Sequence, residues 1–359
     1  MGRRQSFLRQ EHQSRQPCFT HRRDKMSAGT GNHHIEPGRA TGRVTACIAH
    51  PAQADGIVPH AFALAKALDA PVTLLQVLEG ERAPARPDPI EWDMRRHEAR
   101  RSLACLAIPR DPSMGRADIE LADGAAVDEI RRVILDHPDG LLVMGLQEQD
   151  SSRCRGIGST VHNLLHAAPS SIMLVPALAA EAPLNGYRRI LVPVDGSPWA
   201  ASALPLAVRL AKQSGAQLVL AHVIPSPEFT ETGPFDTADL TLRQSVLDRN
   251  IRTARIYLDQ LHRAVADLDI SVRTVVAQGD DVRSTLEQLI RTEAADLVIL
   301  SARGHGLLAN TEMSYGSVAG YLMTHATVPL LVVPTAFNSD HSAVLQHPQD
   351  LRLPMFASA

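Results

Sequence analysis

Leu297-Val298-Ile299-Leu300, then Arg303-Gly304-His305-Gly306, nine further residues, and Gly316-Ser317 at the head of an apolar helix: this stretch decides the fold. Four consecutive aliphatic residues before a glycine-bearing loop read as a buried strand. The helix that follows runs into a second aliphatic strand, Leu330-Leu331-Val332-Val333, stopped by Pro334. Strand, loop, helix and strand in that order make one crossover of a parallel sheet. An altered copy lies earlier in the chain: Leu141-Leu142-Val143-Met144-Gly145, two residues, Glu148, nine residues, Gly158-Ser159, then Ile172-Met173-Leu174-Val175-Pro176. The chain therefore carries two copies of one unit.

Outward from each copy the same series emerges. In the first unit residues 44–49 form a strand. Ala61, Leu64, Ala65 and Leu68 share one helical face, and 71–77 is a second strand. A proline-rich loop, 83–89, leads to a helix over 91–106, a strand over 117–121 and a helix over 127–135. The second unit restarts at 189–194. Ser197-Pro198 supplies an N-cap and a proline at the first helical position. Leu204, Ala207, Val208 and Ala211 make the buried stripe, and Gly215 ends that helix. Strand 218–223, a long helix over 238–265, strand 270–276, and helix 282–291 with Asp280-Asp281 before it complete the match. The alternation predicts an α/β chain of two tandem Rossmann-like domains, each a doubly wound, five-stranded parallel sheet. The boundaries read as a basic tail over 1–42, a first domain over 43–177, a linker over 178–187, a second domain over 188–336 and a C-terminal tail over 337–359.

Composition narrows the function. The 359 residues are 44% hydrophobic and 21% charged, ordinary for a globular protein. No apolar run approaches the roughly 18 residues of a membrane span. Cys18, Cys47, Cys105 and Cys154 have neither zinc-site nor disulfide-framework spacing, which points to reduced thiols and a cytoplasmic protein. Residues 1–42 hold eight Lys/Arg and three Asp/Glu, a charge of +5 that leaves −8 on the rest of a chain whose net charge is −3. An acidic body is a poor nucleic-acid surface. The basic segment reads as a tail or as an over-long start, with Met26 as the alternative to Met1. The arginines at 95, 96, 100 and 101 read as an exposed helix face.

The loops after strands one and four carry the chemistry, because ligands of open α/β sheets sit at the carboxyl ends of strands where the strand order reverses. A Gly-Ser pair opening a helix offers free backbone N–H groups, the positive end of the helix dipole and a hydroxyl, a set suited to phosphate. No Walker lysine, nucleophile elbow or HExxH is present.

The order of strand, glycine loop, nine residues, Gly-Ser, helix and a strand ending in Val-Pro resembles the universal stress protein family, in its tandem two-domain form. Ile190-Leu191-Val192-Pro193-Val194-Asp195-Gly196-Ser197 is similar to that family's first strand and its aspartate, and Leu220-Ala221-His222-Val223 to its second strand. The resemblance implies ATP in the second unit. Asp195 and the backbone near Pro193 and Val223 would hold the adenosine part. Gly306, Gly316, Ser317 and Val318 would line the phosphate path, and Mg2+ would accompany the nucleotide. It also implies a dimer-like pairing through the last strands, 172–175 and 330–333, formed within one chain as an internal pseudo-dimer. A further homodimer and a protein partner are compatible with it; nucleic acid and membrane are not expected as partners.

The chain departs from the family pattern in both units. The motif's first glycine falls on Arg303, or, if the motif is anchored on Gly304, on Ser301 with an eleven-residue spacer. Arg303 can serve phosphate as a guanidinium. In the first unit the aspartate position falls on His50 and the second glycine on Glu148, whose carboxylate repels a phosphate; Arg153 and Arg155 offset it in part. The expectation is a stress-response protein that binds ATP in its second domain as a regulatory ligand, with at most slow hydrolysis. The alternative is a nucleotide-independent interaction module on the same fold.

Overall fold

The computed structural model describes residues 42–80, 88–146, 157–167, 170–177, 179, 182–183, 186–227, 236–304 and 315–334. The first half runs β1 (Val44–Cys47), α1 (Pro51–Leu68), β2 (Val72–Leu78), α2 (Pro89–Leu106), β3 (Asp118–Asp123), α3 (Ala126–Asp136), β4 (Leu141–Leu146), α4 (Ser159–Ala167) and β5 (Ser171–Pro176). The second half repeats it as β6 (Arg189–Pro193), α5 (Pro198–Ala201), α6 (Leu204–Ser214), β7 (Gln217–Pro225), α7 (Thr237–Val265), β8 (Val272–Gly279), α8 (Val282–Thr292), β9 (Leu297–Ser301), α9 (Ser317–His325) and β10 (Leu330–Val333).

The strands form a single ten-stranded sheet in the order β3-β2-β1-β4-β5-β10-β9-β6-β7-β8. Within each half the pairings are parallel. The halves join where β5 and β10 run antiparallel, Leu330 opposite Leu174, Leu331 opposite Met173 and Val332 opposite Ile172. Met173 and Leu331 occupy matching places in the two copies, so the approximate dyad passes through their pairing. The pseudo-dimer expected from the resemblance is thus built into the chain, through the strands expected to form it.

Both faces of the sheet are covered, as a parallel sheet requires. One apolar layer joins Leu64, Leu68, Leu74, Leu103, Ile190, Leu210, Leu220 and Leu258 from both halves. The other joins Leu142, Leu164, Leu174, Leu191, Leu286, Val298 and Leu322. Polar contacts cross the same junction. His60 Nδ1 of α1 lies 2.8 Å from the Tyr187 hydroxyl just before β6, and both residues are buried. Arg209 of α6 donates to the Leu68 carbonyl at 2.6 Å.

Helix ends follow local chemistry. Asp88 and Asp281 cap α2 and α8, and Asp236 with Asp239 closes a capping box on α7. Gly215 ends α6 at φ 63°, where a side chain would be strained. The helix expected after Ser197 is broken into α5 and α6, Ala203 preceding the second segment. Of the helix carrying the arginines, only Ala99 and Leu103 are buried.

Candidate functional site

In the second half β6 leads to β7 and β8 on one side, and β9 leads to β10 on the other. The strand order reverses between β6 and β9, and the loops leaving these two strands meet there. Asp195, two residues past β6, accepts at Oδ1 from the Ser197 backbone N–H at 2.9 Å and from the Ser197 hydroxyl at 2.6 Å. Ser197 Oγ in turn accepts from the Ala200 N–H, capping α5. Gly196 stands between them at φ 81°, a conformation that disfavours a side chain. The other carboxylate oxygen faces the loop after β9: a Cβ placed on Gly304 would lie 2.6 Å from Asp195 Oδ2. The structure therefore brings Asp195 and Gly304 together across the crevice.

The second wall is the start of α9. Its N-cap is Gly316, in extended conformation, and no side chain caps the helix. The Gly316 N–H is held by the Ala302 carbonyl at 2.8 Å, and the Ala302 N–H by Val333. The helix end is thus fastened to β9 and β10, while Ser317 and Val318 open its first turn, where backbone N–H groups lack intrahelical acceptors. Tyr315, immediately before it, lies against Gly320, where a Cβ would come 3.0 Å from its ring. Its hydroxyl is 3.2 Å from His162 Nδ1 of α4. The first half thereby braces the helix end of the second.

Of the expected site residues, Pro193 closes β6 opposite Ala221, and Val223 lies near the end of β7, buried. Arg303 is exposed, its N–H 3.4 Å from Ser301 Oγ. Gly306 and Glu148 lie outside the described residues, as do Arg153 and Arg155. Among the described residues no group of three metal-ligand side chains occurs.

Strand register settles one positional assignment left open by the sequence and corrects another. Gly145 pairs with Val175, and Ser301 with Val333; Val175 and Val333 are matching residues, so Ser301, not Arg303, takes the place of the first glycine. The motif is then anchored on Gly304 with the longer spacer. Likewise the Ile48 N–H bonds Leu75 and the Val194 N–H bonds Ala221. That aligns Asp195 with Ala49, not with His50. His50 instead serves as N-cap of α1, its Nδ1 accepting from the Ala52 N–H at 3.2 Å, the role Ser197 has in the second half. The first half is one residue shorter here and has no carboxylate at the position of Asp195.

Two groups near Asp195 escaped the sequence reading. His222 of β7 and Tyr257 of α7 meet edge to face, ring centroids 6.3 Å apart. Burial holds the His222 imidazole below its ordinary value of 6.5 against the opposing pull of Asp195, so it is neutral near pH 7. Burial, with Asp195 adding to it, pushes the Tyr257 phenol up to about 12.

A doubly wound α/β domain is present twice, and the second copy has an aspartate after its first strand, at the switch in strand order where open α/β sheets place ligands. The chain belongs to the universal stress protein family, whose model matches residues 41–176 and again 186–334. A universal stress protein of Bacillus subtilis is 28% identical over 151 residues, covering 41% of this chain and 99% of that one. One from Mycobacterium tuberculosis is 22% identical over 274 residues, 73% of this chain and 86% of its own. Among solved structures, a universal stress protein from Archaeoglobus fulgidus superposes with a TM-score of 0.57 at 17% identity, over 82% of this chain and 99% of that chain. No helix among the described residues is long and apolar enough to cross a membrane.

Proposed function

We propose that the second half binds ATP as a regulatory ligand in a stress-response role, and that the first half has a structural role. The observation that carries this is the meeting of Asp195 and Gly304 opposite the uncapped Gly316–Ser317 helix end. The adenosine part lies by Asp195, Pro193 and Val223. The phosphates run past Gly304 and Gly306 to Gly316, Ser317 and Val318, where helix N–H groups and the dipole favour negative charge, with Arg303 as an added cation. Mg2+ accompanies the triphosphate, since anionic oxygens would supply its ligands. Asp195 is engaged with Ser197 at the nucleoside end, away from the phosphate path. Hydrolysis is at most slow without a group to position the attacking water. In the first half Ala49 supplies no carboxylate and His50 is occupied as a cap.

Calorimetric titration of Mg-ATP into the full chain, and into Asp195→Ala and Gly316→Ala, tests this. Saturable binding by the unmodified protein is expected, with at least tenfold loss in each variant. No binding by the unmodified protein favours the nucleotide-independent interaction module. Equal binding by all three places the ligand elsewhere.

A further inference from the structure

The Nδ1 atom of His222 and the hydroxyl of Tyr257 are both buried from solvent and have no hydrogen-bond partner among the described residues. Buried polar atoms in folded proteins are nearly always paired, because an unsatisfied one retains its full desolvation cost. Of four such atoms among the described residues, these two share one place, with their rings in contact. That place adjoins the candidate site. His222 precedes Val223 on β7, opposite Val276 of β8, and both rings lie in the field of the Asp195 carboxylate. The matching position in the first half is Gln76, and there is no aspartate beside it.

We propose that His222 and Tyr257 are ligand-binding residues that determine specificity, forming with Asp195 a polar pocket for the neutral, hydroxyl- and amine-bearing nucleoside end of the nucleotide. This rests on the ATP reading above and adds two residues to it. The chemistry selects that end. A neutral imidazole offers one donor and one acceptor nitrogen and a protonated phenol both donates and accepts, and the Asp195 carboxylate accepts more while repelling a phosphate. The phosphates belong at the other end, on α9. Turning out to meet a bound nucleoside would give the two orphaned atoms the partners they lack.

Two measurements on the full chain, with Tyr257→Phe and His222→Phe, test this: thermal unfolding without ligand and calorimetric titration with Mg-ATP. Tyr257→Phe removes a hydroxyl that has no partner among the described residues, so its unfolding midpoint is expected to be unchanged or higher. Affinity for Mg-ATP should fall at least fivefold in Tyr257→Phe and in His222→Phe. ATP affinity within twofold of the unmodified protein in Tyr257→Phe overturns the inference and leaves the ATP reading standing. So does a lowered midpoint with unchanged affinity, which would make the hydroxyl structural. Absence of ATP binding to the unmodified protein overturns both. If His222→Phe does not fold, Tyr257→Phe alone decides.

Discussion

Gly304 and Gly158 each stand in a glycine motif of their own half, yet their surroundings differ. No described atom lies within 4 Å of a Cβ built on Gly158, whereas one on Gly304 would press to 2.6 Å against the Asp195 carboxylate. That oxygen belongs to a side chain tethered through Oδ1 to the Ser197 N–H and hydroxyl, so it cannot swing aside without breaking the turn that caps α5. Gly304→Ala should therefore displace the carboxylate and weaken Mg-ATP at least tenfold, with Gly158→Ala within twofold; paired titrations check this. Asp195 was legible in the sequence because Asp-Gly-Ser-Pro after an aliphatic run carries its own turn chemistry. The alignment of Ala49 with Asp195 was not, and the choice between Arg303 and Ser301 for the first glycine stayed open. A missing residue in one loop and extra ones in another leave no local trace, and only the hydrogen-bond register shows where they fall. His222 and Tyr257 were hidden for another reason. They are distant in sequence and meet only because α7 packs across β7.

At the scale of elements, strands and helices were legible from period and caps, since aliphatic runs and Asp, Ser, Gly and Pro signals act locally. The edge strands were the less certain ends. β8 was expected over 270–276 and runs Val272–Gly279, because its exposed side carries little apolar pattern and pairing with β7 sets its length. How elements fasten to each other was less visible still. Tyr187 sits in the linker before β6, and nothing nearby in sequence marks it as core. Yet its ring stacks on His60 of α1, and its hydroxyl meets His60 Nδ1 and approaches Met173 Sδ of β5 at 3.8 Å. It is buried, and burial drives its phenol far above the ordinary range. The group therefore stays protonated and bonded. Tyr187→Phe removes a satisfied buried hydrogen bond and should cost about 1 kcal/mol or more, read as a lower unfolding midpoint. The same substitution at Tyr257, whose hydroxyl has no partner among the described residues, should leave the midpoint unchanged or raise it. Both hydroxyls are buried, and what separates the two tyrosines is the partner that only Tyr187 has among the described residues.

At the scale of the whole molecule, duplication has replaced association. A lone half of this fold would end in an unpaired apolar strand, a template for edge-to-edge pairing; here β5 and β10 cover each other and the apolar layer beneath runs through both halves. Because Met173 and Leu331 match in the two copies, β10 of one molecule could pair with β10 of another about Leu331 in the same antiparallel register. A fragment of residues 186–334 should accordingly form a dimer, since it loses β5 and exposes Leu330, Leu331 and Val332, all buried in the full chain. Sedimentation of the fragment is expected to give twice the monomer mass. Leu331→Lys, which places like charges opposite each other at the dyad, should return it to monomer. A fragment that stays monomeric and folded would show that strand pairing is not what binds the halves. The weight would then fall on contacts off the sheet, such as Arg209 to the Leu68 carbonyl and His162 to Tyr315.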